Sequence, residues 1–222
     1  FGRVIVQDAE VQTLDEGEPP LLVVDTGGND RYLIPVGATW SADNPVGVAI
    51  DLAGNDLYGY PNSFEDSARP PLPPADARGR YDGSHPQIGD QIGPMSLSSI
   101  SRQGAGIFGV GLLFDYAGND TYHSHKVSQG SGILGMGVLI DHEGRDRYLC
   151  EQGCQGAAAY GLGLLIDRDG ADQYVGVQHV QGYGYVRGVG YLHDTSGDDR
   201  YLALQGDPAN GGIFIYPNAQ NA

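Results

Sequence analysis

The signature D-x-x-G-x-D-x-Y occurs six times in this chain, led by Asp25, Asp51, Asp115, Asp141, Asp167 and Asp194. Successive copies are separated by 26, 64, 26, 26 and 27 residues. A second mark keeps the same period: Gln-Gly pairs begin at Gln103, Gln129, Gln155 and Gln181. A unit of 26 residues is too short to bury its own apolar face, so it must stack on copies of itself. Between the two marks lie stretches such as "GILGMGVLID", in which apolar and small residues alternate. Alternation is the two-residue period of a strand. No i, i+3, i+4 apolar pattern competes with it, and each glycine inside a helix would cost about 1 kcal/mol relative to alanine.

These features predict an all-β chain: a parallel β-helix, or β-solenoid, of about six coils with one long inserted loop. Residues 1–222 are read as a single domain. The opening residues 1–20 lack the signature and are expected to cap one end. Regular coils are expected over 103–206, and 207–222 should cap the other end. There Gln205 opens a unit and Pro217, unable to donate to a ladder, suits a last exposed edge. The interval of 64 residues exceeds one period by 38. It covers the excursion 59–102, whose "RPPLPP" belongs to a segment holding seven of the 13 prolines. A degenerate coil around "DQIG" at Asp90 is one reading of part of it.

The formal net charge is −16, and Lys126 is the only lysine. That surface repels nucleic acid and anionic lipid, and no apolar run approaches the roughly 20 residues of a membrane helix. Other protein subunits or a neutral glycan are the expected partners, with neither nucleic acid nor membrane insertion. A start at Phe1 fits a trimmed chain and a processed, exported protein alike, and the 36 glycines and 14 tyrosines resemble extracellular repeat proteins, so an extracellular, periplasmic or cell-surface location is expected. Cys150 and Cys154 are the only cysteines, and their spacing leaves a small disulfide loop and two free thiols equally open.

Stacking at about 4.8 Å turns residues one period apart into vertical neighbours, so the aspartates form two carboxylate columns. Like charges at that spacing need compensation. One account is local: turn amides bond the first Asp, the glycine supplies a positive φ, and the second Asp braces the next coil. Arg31, Arg145, Arg147, Arg168 and Arg200 would then neutralise part of the column. The other account is Ca²⁺ held between stacked turns by oxygen ligands. Its expected ligands are Asp115, Asp120, Asp141, Asp146, Asp167, Asp172, Asp194 and Asp199, where the column is uninterrupted in sequence. "AGNDTY" and "GGNDRY" resemble the second half of the calcium-binding nonapeptide turns of secreted bacterial RTX-type toxins and proteases. They differ in an aspartate at that repeat's first glycine and in the longer period. The wider pattern, QG then G-x-G-x-L-x-D then G-x-D-x-Y, resembles uncharacterised exported bacterial repeat proteins. The tyrosine column reads as a stacking ladder and the glutamine column as an amide ladder.

Scaffold residues repeat, whereas catalytic residues should be singular, which counts against enzymatic use of the Asp motif. His123 and His125 fall on one strand face, and His125 is one period before Glu151. His125 and Glu151, beside Lys126, are the weak candidates for acid–base chemistry. Glu65, Asp66, Asp76, Arg78, Arg80, Asp82, His85 and Asp90 in the excursion 59–102 are where singular function could also sit. The expected function is a non-enzymatic structural or interaction module of an exported or cell-surface assembly, stabilised by calcium. The alternative is a glycan-active enzyme or glycan-binding domain using Tyr160, Tyr183, Tyr185 and Tyr191 or the His125/Glu151 locus.

Overall fold

The structure, a computed structural model, describes residues 2–15, 17–39, 43, 45–59, 101–124, 126–150, 152–176 and 179–203. It is a parallel β-solenoid with no helix among the described residues. One seven-stranded sheet contains, in spatial order, β1 (Val4–Val6), β3 (Leu22–Asp25), β5 (Val46–Asp51), β8 (Val110–Asp115), β11 (Met136–Asp141), β14 (Leu162–Asp167) and β17 (Val189–Asp194). A second is built from β2 (Thr13–Leu14), β4 (Arg31–Tyr32), β6 (Leu57–Tyr58), β9 (Thr121–His123), β12 (Arg147–Leu149), β15 (Gln173–Gly176) and β18 (Arg200–Ala203). A third has four two-residue strands: β7 (Gly106–Ile107), β10 (Gly132–Ile133), β13 (Ala158–Ala159) and β16 (Gly184–Tyr185).

Like residues stack on like. Asp25 pairs with Asp51, Asp51 with Asp115, and the column continues through Asp141 and Asp167 to Asp194. β5 pairs along its length with β8, and β6 pairs with β9. The ladders on either side of the excursion are thus joined directly, and the segment around Asp90 lies outside the described residues. Residues 60–100, like 204–222 with Gln205 and Pro217, lie outside the described residues. The opening segment, expected as a cap, supplies β1 and β2, which extend both long sheets by a strand. The interval of 27 arises between β16 and β17: Ala159 pairs with Tyr185, 26 residues on, but Leu162 pairs with Val189, 27 on.

Alternation decides what faces inward. Along β8 the residues Gly111, Leu113 and Asp115 are buried, and the residues between them are only partly so. The core is thus a leucine column (Leu113, Leu139, Leu165) facing a tyrosine column (Tyr58, Tyr122, Tyr148, Tyr174). Glycine at the second position of each long strand answers a close approach. A Cβ on Gly137 would lie 2.0 Å from the Ser131 carbonyl oxygen, where the third sheet crosses behind the first.

Candidate metal centre

Both carboxylate columns face into the solenoid. Asp115, Asp141 and Asp167 end their strands on the inward-facing register, and Asp120, Asp146 and Asp172 follow one tight turn later; all six are at most 2% exposed. The turn is tight because of its glycine. A Cβ on Gly118 would lie 1.7 Å from the Gly54 carbonyl oxygen, and one on Gly144 1.8 Å from that of Gly118. Only Gly28 (φ 131°) and Gly197 (φ 147°) of the six adopt a positive φ in the range that favours glycine. The expected conformational role is therefore corrected to a steric one: successive turns sit too close for any side chain there.

The second column knits turns together. One oxygen of each carboxylate accepts the amide of its counterpart in the turn before: Asp56 N donates to Asp120 Oδ1 at 2.6 Å, and Asp120 N to Asp146 Oδ1 at 2.7 Å. Asp146 N donates to Asp172 Oδ1 at 2.7 Å, and Asp172 N to Asp199 Oδ1 at 3.0 Å. The other oxygen, Oδ2 of Asp56, Asp120, Asp146 and Asp172, is buried with no hydrogen-bond partner.

The first column contacts the tyrosines. Rings one coil apart stack at centroid distances of 4.7 to 4.9 Å and interplanar angles of 1° to 15°, as the stacking expectation required. Each phenol also reaches a carboxylate. Tyr122 Oη lies 3.1 Å from Asp115 Oδ2 and 2.7 Å from Asp141 Oδ2. Tyr32 Oη lies 2.7 Å from Asp25 Oδ2 and 2.6 Å from Asp51 Oδ2. A phenol has one proton, so it can serve only one of its two carboxylates. The other short contact needs a carboxyl proton. Meanwhile Oδ1 of Asp115, Asp141 and Asp167 is buried and unpartnered.

The columns converge. One oxygen from each of Asp115, Asp120 and Asp141 falls within 4.8 Å of the others, and the same holds for Asp146, Asp167 and Asp172 and for Asp172, Asp194 and Asp199. These three groups bring together all eight residues singled out from the sequence. A fourth, Asp51, Asp56 and Asp115, extends the array across the excursion, because three-dimensional pairing restores the continuity that the sequence interrupts. Burial and the neighbouring carboxylates disfavour ionisation. Burial first, with Asp115 next, pushes Asp120 up to about 10. Burial pushes Asp56 and Asp146 up to about 8 each and Asp172 to about 7, against the amide bonds that favour their charged forms. Asp115 is raised to about 7 by burial and by Asp51, although Tyr58 and Tyr122 oppose the shift.

The arginines beside the turns keep contact with solvent. Arg145, Arg168 and Arg200 are exposed, and Arg147 occupies the partly exposed position between buried Asp146 and buried Tyr148. An inward oxygen cage of this kind suits protons or a hard cation. Ca²⁺ takes oxygen ligands at about 2.3–2.6 Å, so ligand oxygens up to about 5 Å apart fit one ion.

No family model, curated protein or solved structure matches the chain. The resemblance to calcium-binding turns therefore rests on the six residues per coil that carry it.

Several neighbouring features went unread in the sequence. The glutamines do not form an amide ladder. Gln129 Nε2 instead donates to the carbonyls of Tyr122 (2.9 Å) and Leu149 (3.0 Å), clamping two coils through their backbones. Gln155 repeats this with Tyr148 (2.9 Å) and Val175 (3.1 Å). The amide ladder belongs to asparagine: Asn55 Nδ2 donates to Asn29 Oδ1 at 3.3 Å, and Asn119 Nδ2 to Asn55 Oδ1 at 2.8 Å. The phenol–carboxylate contact had a legible signal, a fixed Asp-to-Tyr spacing of seven residues. Cys150 and Cys154 form a disulfide with a Cα–Cα distance of 6.3 Å, which decides between the two cysteine readings. His123 is buried, while His125 and Glu151 lie outside the described residues.

Proposed function

We propose that the chain is a non-enzymatic scaffold of an exported or cell-surface assembly, with its turns held together by Ca²⁺ bound inside the solenoid. The observation that carries this reading is the recurrence of carboxylate groups from both columns with oxygens within ligand distance in four places among the described residues, on a column where several buried oxygens have no hydrogen-bond partner. One such group would suit a catalytic centre, but a column of equivalent groups suits a scaffold. Asp115, Asp120 and Asp141 would hold one ion, and Asp146, Asp167 and Asp172 another. Glycine carbonyls crowd the same turns, since a Cβ on Gly170 would meet both the Gly144 oxygen and the Asp172 carboxylate. Bound cations would remove the repulsion that burial imposes on the carboxylates. Export is supported by the Cys150–Cys154 disulfide, which persists in oxidising compartments. Other protein subunits are the proposed partners.

The test is thermal melting in excess EGTA against millimolar calcium, with elemental analysis of the purified protein. Retained calcium and a higher melting temperature in its presence are expected. Superimposable curves with no retained metal would reject the calcium reading.

A further inference from the structure

One coil breaks its own column. On the third sheet the residues in register are Ile107, Ile133, Ala159 and Tyr185. Alanine in place of isoleucine, beneath a tyrosine, leaves an open cavity of about 300 Å³. Its floor is Ala157, Ala158 and Ala159, and its wall includes His179, Tyr183 and Tyr185. The three rings are near-parallel, with His179 4.4 Å from Tyr183 and Tyr185 6.2 Å from each of the other two, centroid to centroid. Lys126, the only lysine of the chain, lines the cavity, as do Gln152 and Gly153 from the disulfide loop. Ser131 Oγ donates to the Gly153 carbonyl at 2.7 Å and ties that loop to the preceding coil.

We propose that this cavity binds a neutral hexopyranose unit. The volume is at the lower end of the range for small-molecule sites, enough for one or two sugar rings. A pyranose presents a flat face of C–H groups that packs on aromatic rings, and the floor is apolar. Its hydroxyl oxygens accept from an ammonium, which has three donors and no acceptor. Charge narrows the class. Lys126 opposes a cation inside the cavity, and a net charge of −16 opposes the approach of an anion. Burial lowers the pKa of His179, which favours its neutral form. The inference is independent of calcium: it uses singular residues on the third sheet, away from the aspartate columns.

The experiment is ligand-observed saturation-transfer NMR with the methyl glycosides of glucose, galactose and mannose, and with choline and benzoate as cationic and anionic probes. Transfer to at least one glycoside is expected, with a Kd of about 1 mM for a single ring. Ala159→Ile installs the residue this column carries in two other coils, so the fold should persist while affinity falls at least tenfold. Lys126→Met gives a second variant at the cavity, expected to weaken binding several-fold. No transfer from any glycoside at 20 mM, undiminished transfer in folded Ala159→Ile, or stronger binding of choline or benzoate would each overturn the proposal.

Discussion

Asp120 accepts the Asp56 amide at Oδ1 and keeps Oδ2 buried without a partner, with its pKa pushed up to about 10. Asparagine preserves the acceptor and the shape but cannot ionise. Asp120→Asn should therefore match or exceed the parent melting temperature in EGTA at pH 8. In millimolar calcium it should fall below the parent, because one ligand of an ion is gone. A variant whose melting temperature changes by the same amount in both buffers would reject Asp120 as a calcium ligand. Tyr122→Phe keeps the stack but removes a phenol lying against Asp115 and Asp141. It should cost about 1–3 kcal/mol by urea denaturation, the range for leaving a buried hydrogen-bonding group without its partner. Gly118→Ala is expected to be worse, since its Cβ would fall 1.7 Å from a backbone oxygen that belongs to the neighbouring ladder and cannot move alone.

The long strands were legible because alternation and a six-residue length coincide in each unit. The third sheet was not, since its strands are two residues long and have no period of their own. They are held by the coil above and below and by the glutamine at each corner. Gln155 sits at φ 55°, followed by Gly156 at φ 75°, so the corner turns through a region that costs a side chain energy. Its Nε2 bonds to two buried carbonyls offset that cost. Gln155→Ala would keep the strained backbone and remove the Nε2 bonds to the Tyr148 carbonyl and to the Val175 carbonyl, which still accepts the Cys150 amide, for a loss of about 1–3 kcal/mol in equilibrium denaturation. A loss under about 0.5 kcal/mol would mean that the ladder alone sets the corner, as for ordinary surface substitutions.

Across the whole solenoid, the columns link stability to pH. Asp56, Asp120 and Asp146, raised to about 8, 10 and 8, bind protons in the folded state that the unfolded chain, titrating near 3.9, releases. Their contribution is complete below the unfolded value and is lost as pH rises through the folded ones. In EGTA the melting temperature should thus decline from pH 5 to pH 9. Calcium competes with the same protons, so the stabilisation it gives should grow over that range, reaching about 2.7 kcal/mol at a hundredfold excess over Kd. A melting temperature in EGTA that rises with pH would contradict the buried-carboxylate account. The sequence by itself determined the period, the strand alternation, the stacking of like on like and the identity of the two aspartate columns. Those properties follow from spacing, and spacing is written in one dimension. Only the tertiary structure decided that both columns face inward and that the array continues past the excursion. It also decided that Ala159 opens a cavity. Each of these depends on which residues become vertical neighbours and on which side of a two-faced strand a side chain leaves, and closing the coil fixes both.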